Sequence, residues 1–222
     1  MPELSGVSQI RGVIWIVPAL LAASSVAGAQ DGWISLFNGR DLTGWKVGGN
    51  TASFSVQDGA IVSNGPTAHC FYDGSVHNHN FTNFELQVDI LTEPGANGGV
   101  YFHTEYQGQG FPVKGFEVQV NNTHSDPIKS GSLYHVVDLS AEDIKGVVKD
   151  GEWFTEDILV QGKTVTIKLN GKQVVQWTQP EGWSGTRDFA ERRIGAGGTI
   201  ALQGHDPRSI VHYKNIRIKP LS

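Results

Sequence analysis

Apolar and polar residues alternate along much of this chain with a period of two. Phe84, Leu86, Val88 and Ile90 fall on one side of an extended segment and Glu85, Gln87 and Asp89 on the other, the pattern of a strand with one face on a core. The runs Gly98–Glu105, Gly115–Val120 and Thr164–Leu169 repeat it. Short β-rich stretches recur between Gly, Asn and Asp turn signals, and helical periodicity is nearly absent. The pattern predicts strands over 34–37, 52–63, 68–73, 83–91, 98–105, 115–121, 131–137, 154–160, 163–170, 173–178, 198–203 and 209–218. Asn170-Gly171 marks a hairpin. The spacing implies an all-β sandwich of two antiparallel sheets in one domain.

The same alternation sorts the chemistry. In the run 98–105, Val100, Phe102 and Thr104 share one side while Tyr101, His103 and Glu105 share the other. In the next run Phe116, Val118 and Val120 form the apolar side, and Glu117 and Gln119 stand roughly 6–7 Å apart on the polar side. Acid, amide, imidazole and phenol groups on common faces predict a surface turned to a ligand. Gln203 and His205 close a further run whose Ile200 and Leu202 fill the core, and Tyr134 and His135 sit together after Gly131-Ser132-Leu133. Glu117, His135 and His103 are therefore the catalytic candidates. Gln119, Lys114, Tyr101, Tyr134, Gln203 and His205 are the candidates for substrate binding. Trp33, Trp45 and Trp177 are assigned to packing.

Charge and targeting signals narrow the function classes. Arg11 precedes an apolar run, Gly12–Val26, and Ala27-Gly28-Ala29 supplies small residues before Gln30, so residues 1–29 are expected to be a signal peptide. The run is short for a membrane span. Cleavage would remove one acid, Glu3, and one base, Arg11, leaving the formal charge of −5 unchanged. The mature protein is then expected in the periplasm or outside the cell, with no membrane span. A mildly acidic chain without a basic stripe argues against nucleic acid as partner. The single cysteine, Cys70, excludes an intrachain disulfide, and a lone cysteine reads first as a small buried hydrophobe.

A retaining glycosidase needs two carboxyl groups about 5–5.5 Å apart. Two residues after Glu117 stands Gln119, which cannot ionise, leaving Glu105 or Asp89 on adjoining strands as substitutes. Eight histidines offer metal chemistry. Glu117, His103, His135 and His205 are the best candidate ligands for a divalent metal, whereas His77, His79 and His212 read as exposed loop residues. Gly-rich stretches lack the strand-to-helix context of a nucleotide or flavin site.

Several ordered motifs resemble one family. They are Leu36-Phe37-Asn38-Gly39-Arg40-Asp41-Leu42-Thr43-Gly44-Trp45, Asn97-Gly98-Gly99-Val100-Tyr101-Phe102, Gly115-Phe116-Glu117-Val118-Gln119-Val120, Gly131-Ser132-Leu133-Tyr134, Leu169-Asn170-Gly171-Lys172 and Ile200-Ala201-Leu202-Gln203-Gly204-His205. Together, over about 31–220, the chain resembles the 3-keto-disaccharide hydrolase family. That resemblance implies a concanavalin-like jelly roll acting on glycosides already oxidised to a ketone at C3, by a lyase-like or net hydrolytic route. A C3 carbonyl acidifies the C2 hydrogen, so one base, donors for the enolate oxygen and a proton donor for the leaving oxygen suffice. Glu117 or His135 is expected as base, with Gln119 and Lys114 orienting the ketosugar. A separate oxidising enzyme must then make the ketone. The alternative is a jelly roll that only binds glycans.

Overall fold

The computed structural model describes residues 30–186, 192–195 and 197–222. The expected signal peptide at 1–29 lies outside the described residues. Among the described residues there are thirteen strands: β1 (Ile34–Ser35), β2 (Trp45–Gly49), β3 (Phe54–Gln57), β4 (Ala60–Ser63), β5 (Ala68–Tyr72), β6 (Phe84–Thr92), β7 (Gly98–Thr104), β8 (Phe116–Val120), β9 (Phe154–Gln161), β10 (Thr164–Leu169), β11 (Lys172–Thr178), β12 (Thr199–Gly204) and β13 (Val211–Pro220). One sheet runs β11-β10-β9-β6-β13-β4-β3 with β1 also on β13; the other runs β2-β5-β12-β7-β8. Every pairing is antiparallel, as in β6–β13 and β7–β8. The fold is a jelly-roll sandwich: the alternation predicts its two antiparallel sheets, and the family resemblance implies the jelly roll.

Between the sheets lies one apolar core. Phe84, Leu86, Val88 and Ile90 of β6 meet Val100 and Phe102 of β7, Phe116, Val118 and Val120 of β8, and Ile200 and Leu202 of β12. Each such side chain contributes about 1.5–3 kcal/mol when fully buried. Strand β6 alternates between buried and half-buried positions, showing that its outer side meets solvent. Strands β5, β7, β8 and β12 do not alternate and are buried at every residue. A two-layer sandwich buries only inner faces, so the outer face of the five-stranded sheet must carry a third layer. Loops supply it. Gly49 N donates to Gly108 O at 2.7 Å, bringing the 105–114 loop onto β2, and Gln119 N donates to Ser132 O at 3.0 Å, bringing the 121–139 segment onto β8.

Four departures from the sequence pattern have local causes. The single strand expected over 52–63 is a hairpin, because Asp58 and Gly59 both take positive φ (48° and 78°) and turn the chain. Segment 131–137 is a turn with isolated bridges from Leu133 to Val118 and to Val137, not a strand. Strand β2 escapes the pattern because Gly48 and Gly49 stand where apolar residues would signal it. Finally, β7 carries an extra residue against β12: Thr104 pairs with Thr199 and Tyr101 with Ala201. His103 absorbs this bulge with a φ of 53°.

Candidate functional site

On the outer face of the five-stranded sheet, a cavity of about 200 Å³ opens beneath the loops. Strand alternation builds its floor: Tyr101 from β7, Glu117 and Gln119 from β8 and Gln203 from β12 point away from the core. His205, just beyond β12, stands at one side, while Asn97, Phe111, Asp126, Tyr134 and Arg192 come from loops and complete the wall.

Glu117 is the centre of the floor and is 4% exposed. Its Oε2 accepts from the Tyr101 hydroxyl at 2.8 Å and lies 3.5 Å from Arg192 Nη2; its Oε1 accepts from Gln203 Nε2 at 2.8 Å. Burial raises its pKa, opposed by Arg192 and by the hydrogen bonds from Tyr101 and Gln203. A buried carboxylate survives only with such partners. Gly99 makes room for it, since a Cβ there would fall 2.6 Å from Glu117 Oε1. The Gln119 amide reaches Asn97 Oδ1 at 3.3 Å in one orientation and Glu117 Oε1 and Gly98 O, each at 3.2 Å, in the flipped one.

Arg192 is almost wholly enclosed. Its Nη1 donates to Tyr134 O at 2.5 Å, its guanidinium lies 5.5 Å from the Tyr134 ring, and Trp183 Nε1 donates to its carbonyl at 2.8 Å. Burial, followed by the negative charges of Asp126 and Glu117, pushes the Tyr134 hydroxyl up to about 12. Tyr134 therefore keeps its proton at neutral pH.

His205 forms a pair with its neighbour: Nδ1 lies 2.9 Å from Asp206 Oδ2. Although burial raises the Asp206 pKa, hydrogen bonds from Ser209 and His205 outweigh it and hold the carboxyl at about 2. An ionised Asp206 selects the tautomer with a proton on Nδ1, which leaves Nε2 as acceptor. The His205 side chain is about one-third exposed, against 5% for Glu117.

Other expected site residues lie elsewhere. The bulge turns His103 towards the core edge, where Nε2 meets Thr82 O at 2.9 Å and the ring packs edge-on against Phe84, so it does not share the Tyr101 face. His135, at a positive φ of 60°, is an exposed residue beside Tyr134 that pairs with Asp138 at 3.7 Å. Lys114 pairs with Glu105 at 2.8 Å on the surface. None of the three lines the cavity. Among the described residues no three His, Cys, Asp or Glu side chains converge to hold a metal, and Glu117, His103, His135 and His205 do not meet at one point. His212 lies on β13, beside Glu93 at 3.8 Å, rather than in a loop. Arg192 and Asp126 were not expected: they lie in loops without periodicity. Asn97, by contrast, opens the Asn97-Gly98-Gly99 motif.

Comparison with known proteins follows the fold. Residues 32–219 match the 3-keto-alpha-glucoside-1,2-lyase-like domain. A 3-keto-disaccharide hydrolase of Bacteroides thetaiotaomicron is 26% identical, the alignment covering 86% of this chain and 79% of that protein. A crystal structure from Parabacteroides distasonis, provisionally assigned as a glycosyl hydrolase, superposes with a TM-score of 0.72 at 26% identity, over 86% of this chain and 94% of its own. A carbohydrate-binding module of Bacillus subtilis shares the fold at 10% identity and a TM-score of 0.55, over 78% of this chain and 94% of its own.

Proposed function

Because the chain belongs to the 3-keto-alpha-glucoside-1,2-lyase-like family, we propose that its cavity cleaves the glycosidic bond of a 3-keto-glycoside by elimination across C1 and C2. The observation that carries this reading is the His205–Asp206 pair standing beside a floor whose single carboxylate, Glu117, is already bonded by Tyr101, Gln203 and Arg192. Two free carboxyl groups would suit an oxocarbenium route. One accessible base beside a buried guanidinium suits an enolate.

His205 Nε2 takes the C2 proton, and Asp206 steadies the imidazolium that results. The electron pair of the broken C2–H bond passes to the C3 carbonyl, whose oxygen is stabilised by the Arg192 guanidinium and the Gln119 amide. Collapse of the enolate forms the C1=C2 bond and breaks C1–O. The departing oxygen takes a proton from the Tyr134 hydroxyl. Water adds its hydroxyl to C1 and its proton to the Tyr134 phenolate, and the His205 imidazolium, after exchange with solvent, gives a proton to C2, so that both residues are restored and the outcome is net hydrolysis. Glu117 is a positioning residue here: it sets Tyr101, Gln203 and Arg192 in place.

The substrate's ketone is made by a separate sugar-oxidising enzyme. Kinetics on a 3-keto-disaccharide test the roles. His205→Asn is expected to lower kcat by about 10²–10⁴-fold while binding persists. Full turnover in that variant, or loss of binding with kcat retained, would remove His205 from the chemistry.

A further inference from the structure

We propose that the 105–114 loop roofs a second sugar subsite with His69 as its floor, and that this subsite holds the ring attached through the oxygen of the cleaved bond. The inference rests on the reaction proposed above. His69 stands on β5 directly opposite Gln203 of β12 and Gly48 of β2, so it shares the sheet face that floors the cavity. It is 1% exposed, and neither ring nitrogen makes a well-formed hydrogen bond, the Gly110 backbone on the 105–114 loop being one nitrogen's sole protein contact of that kind. Buried polar atoms are almost always paired, and an unpaired set marks either strain or a place where a missing group binds.

What covers His69 points to the second case. Its ring meets Tyr101 edge-on at 5.3 Å and Phe111 at 5.5 Å, and Phe111 in turn lies 5.8 Å from His205 and lines the cavity. A single aromatic side chain therefore separates the buried imidazole from the proposed reaction centre. Phe111 is itself 46% exposed. Together with Tyr106 and Val113 it accounts for three of the four large hydrophobic residues exposed among the described residues, all three on this loop. Exposed aromatics suit the C–H faces of a sugar ring.

The chemistry beneath suits its hydroxyls. Burial, and then the nearby His205, push the His69 imidazole down to about 3 against the opposing Gly110 backbone contact, so it is neutral and carries one donor and one acceptor. That pairing matches a hydroxyl-bearing ring and has no use for a purely apolar guest. The loop is anchored closely on β2 at its Gln107–Gly108 end: Gly49 N donates to Gly108 O at 2.7 Å, and a Cβ on Gly48 would fall 2.0 Å from the Gln107 carbonyl. Displacing Phe111 would join His69 to the existing cavity and lengthen it for a disaccharide.

Steady-state kinetics on a 3-keto-disaccharide and on methyl 3-keto-glucoside, for the wild type and His69→Phe, test the subsite. A phenyl ring keeps the packing on Tyr101 and Phe111 and removes both nitrogens. The expected result is a rise in KM for the disaccharide about tenfold greater than for the methyl glycoside, the size of one lost net hydrogen bond, with the kcat ratio preserved. Equal KM changes for the two glycosides, or none, would overturn the subsite. Should His69→Phe not fold, Phe111→Ala, which removes the ring standing between His69 and the cavity, is expected to lower the KM for the disaccharide relative to the methyl glycoside, and an unchanged ratio counts against the proposal. If the wild type cleaves neither glycoside, the proposed reaction fails by itself. Calorimetric binding of both to the same proteins then reads the subsite: a disaccharide preference reduced by His69→Phe supports it, and a preference absent or unchanged rejects it.

Discussion

At the residue scale, burial decides what each ionisable group can do. Glu117 and His205 line one cavity, but only His205 has a nitrogen left without an obligatory protein partner by its Asp206 pairing. Glu117→Gln keeps the shape and removes the charge that faces Arg192. Breaking a buried pair from one side costs about 3–5 kcal/mol, so this variant should lose stability in denaturant melts as well as turnover. His205→Asn, being partly exposed, should leave stability within about 0.5 kcal/mol. Comparable stability losses in both would contradict this division. Cys70 gives a simpler case: burial pushes its thiol up to about 12, and native protein at pH 8 should resist thiol reagents that label it at once in urea. The residue types were legible in the sequence because strand alternation exposed them. Arg192 was not, since a loop residue's position depends on chain segments far away, here Tyr134 and Glu117.

Among the elements, β7 shows where pattern reasoning stops. A strict period of two places His103 beside Tyr101, yet one extra residue in the pairing with β12 sends it to Thr82 and Phe84. Nothing in Val100-Tyr101-Phe102-His103 announces a bulge, because its cause is the register of a strand a hundred residues later. Gly99 on the same strand is more readable: its missing Cβ leaves the space that Glu117 occupies. Gly99→Ala should displace that carboxylate, reducing kcat/KM by at least tenfold with only a modest loss of stability, about 1–3 kcal/mol from overpacking. Activity at the wild-type level in a folded Gly99→Ala protein would show that the Glu117 position is not needed.

For the molecule as a whole, the sandwich was legible because its larger sheet is amphipathic in the ordinary way, as β6 and β9 show. The loop layer over the smaller sheet was not, since the polar residues on β8 and β12 read as if they faced solvent or ligand directly. The core between the sheets also holds an acid. Glu156 is fully buried, and neither carboxyl oxygen has a partner. Burial, reinforced by Asp157, raises its pKa well above the ordinary value, so in the folded protein it holds its proton at pH values where the unfolded chain has released it. The folded state then binds more protons than the unfolded one, and stability falls as pH climbs from the ordinary carboxyl range towards the raised value. Glu156→Gln removes that dependence. Its denaturation midpoint should exceed the wild type's at pH 8, by on the order of 1 kcal/mol in stability, and approach it at pH 4. An identical difference at both pH values would show that Glu156 does not titrate in this way.

The chemistry itself is tested most directly at C2 of the sugar. Cleavage of a 3-keto-disaccharide by the wild type in D2O, followed by NMR of the released 3-keto-sugar, should show solvent deuterium at C2 well above that in 3-keto-glucose held for the same time with His205→Asn protein. Release of the sugar with its original C2 proton intact would contradict abstraction at C2 and the elimination account with it.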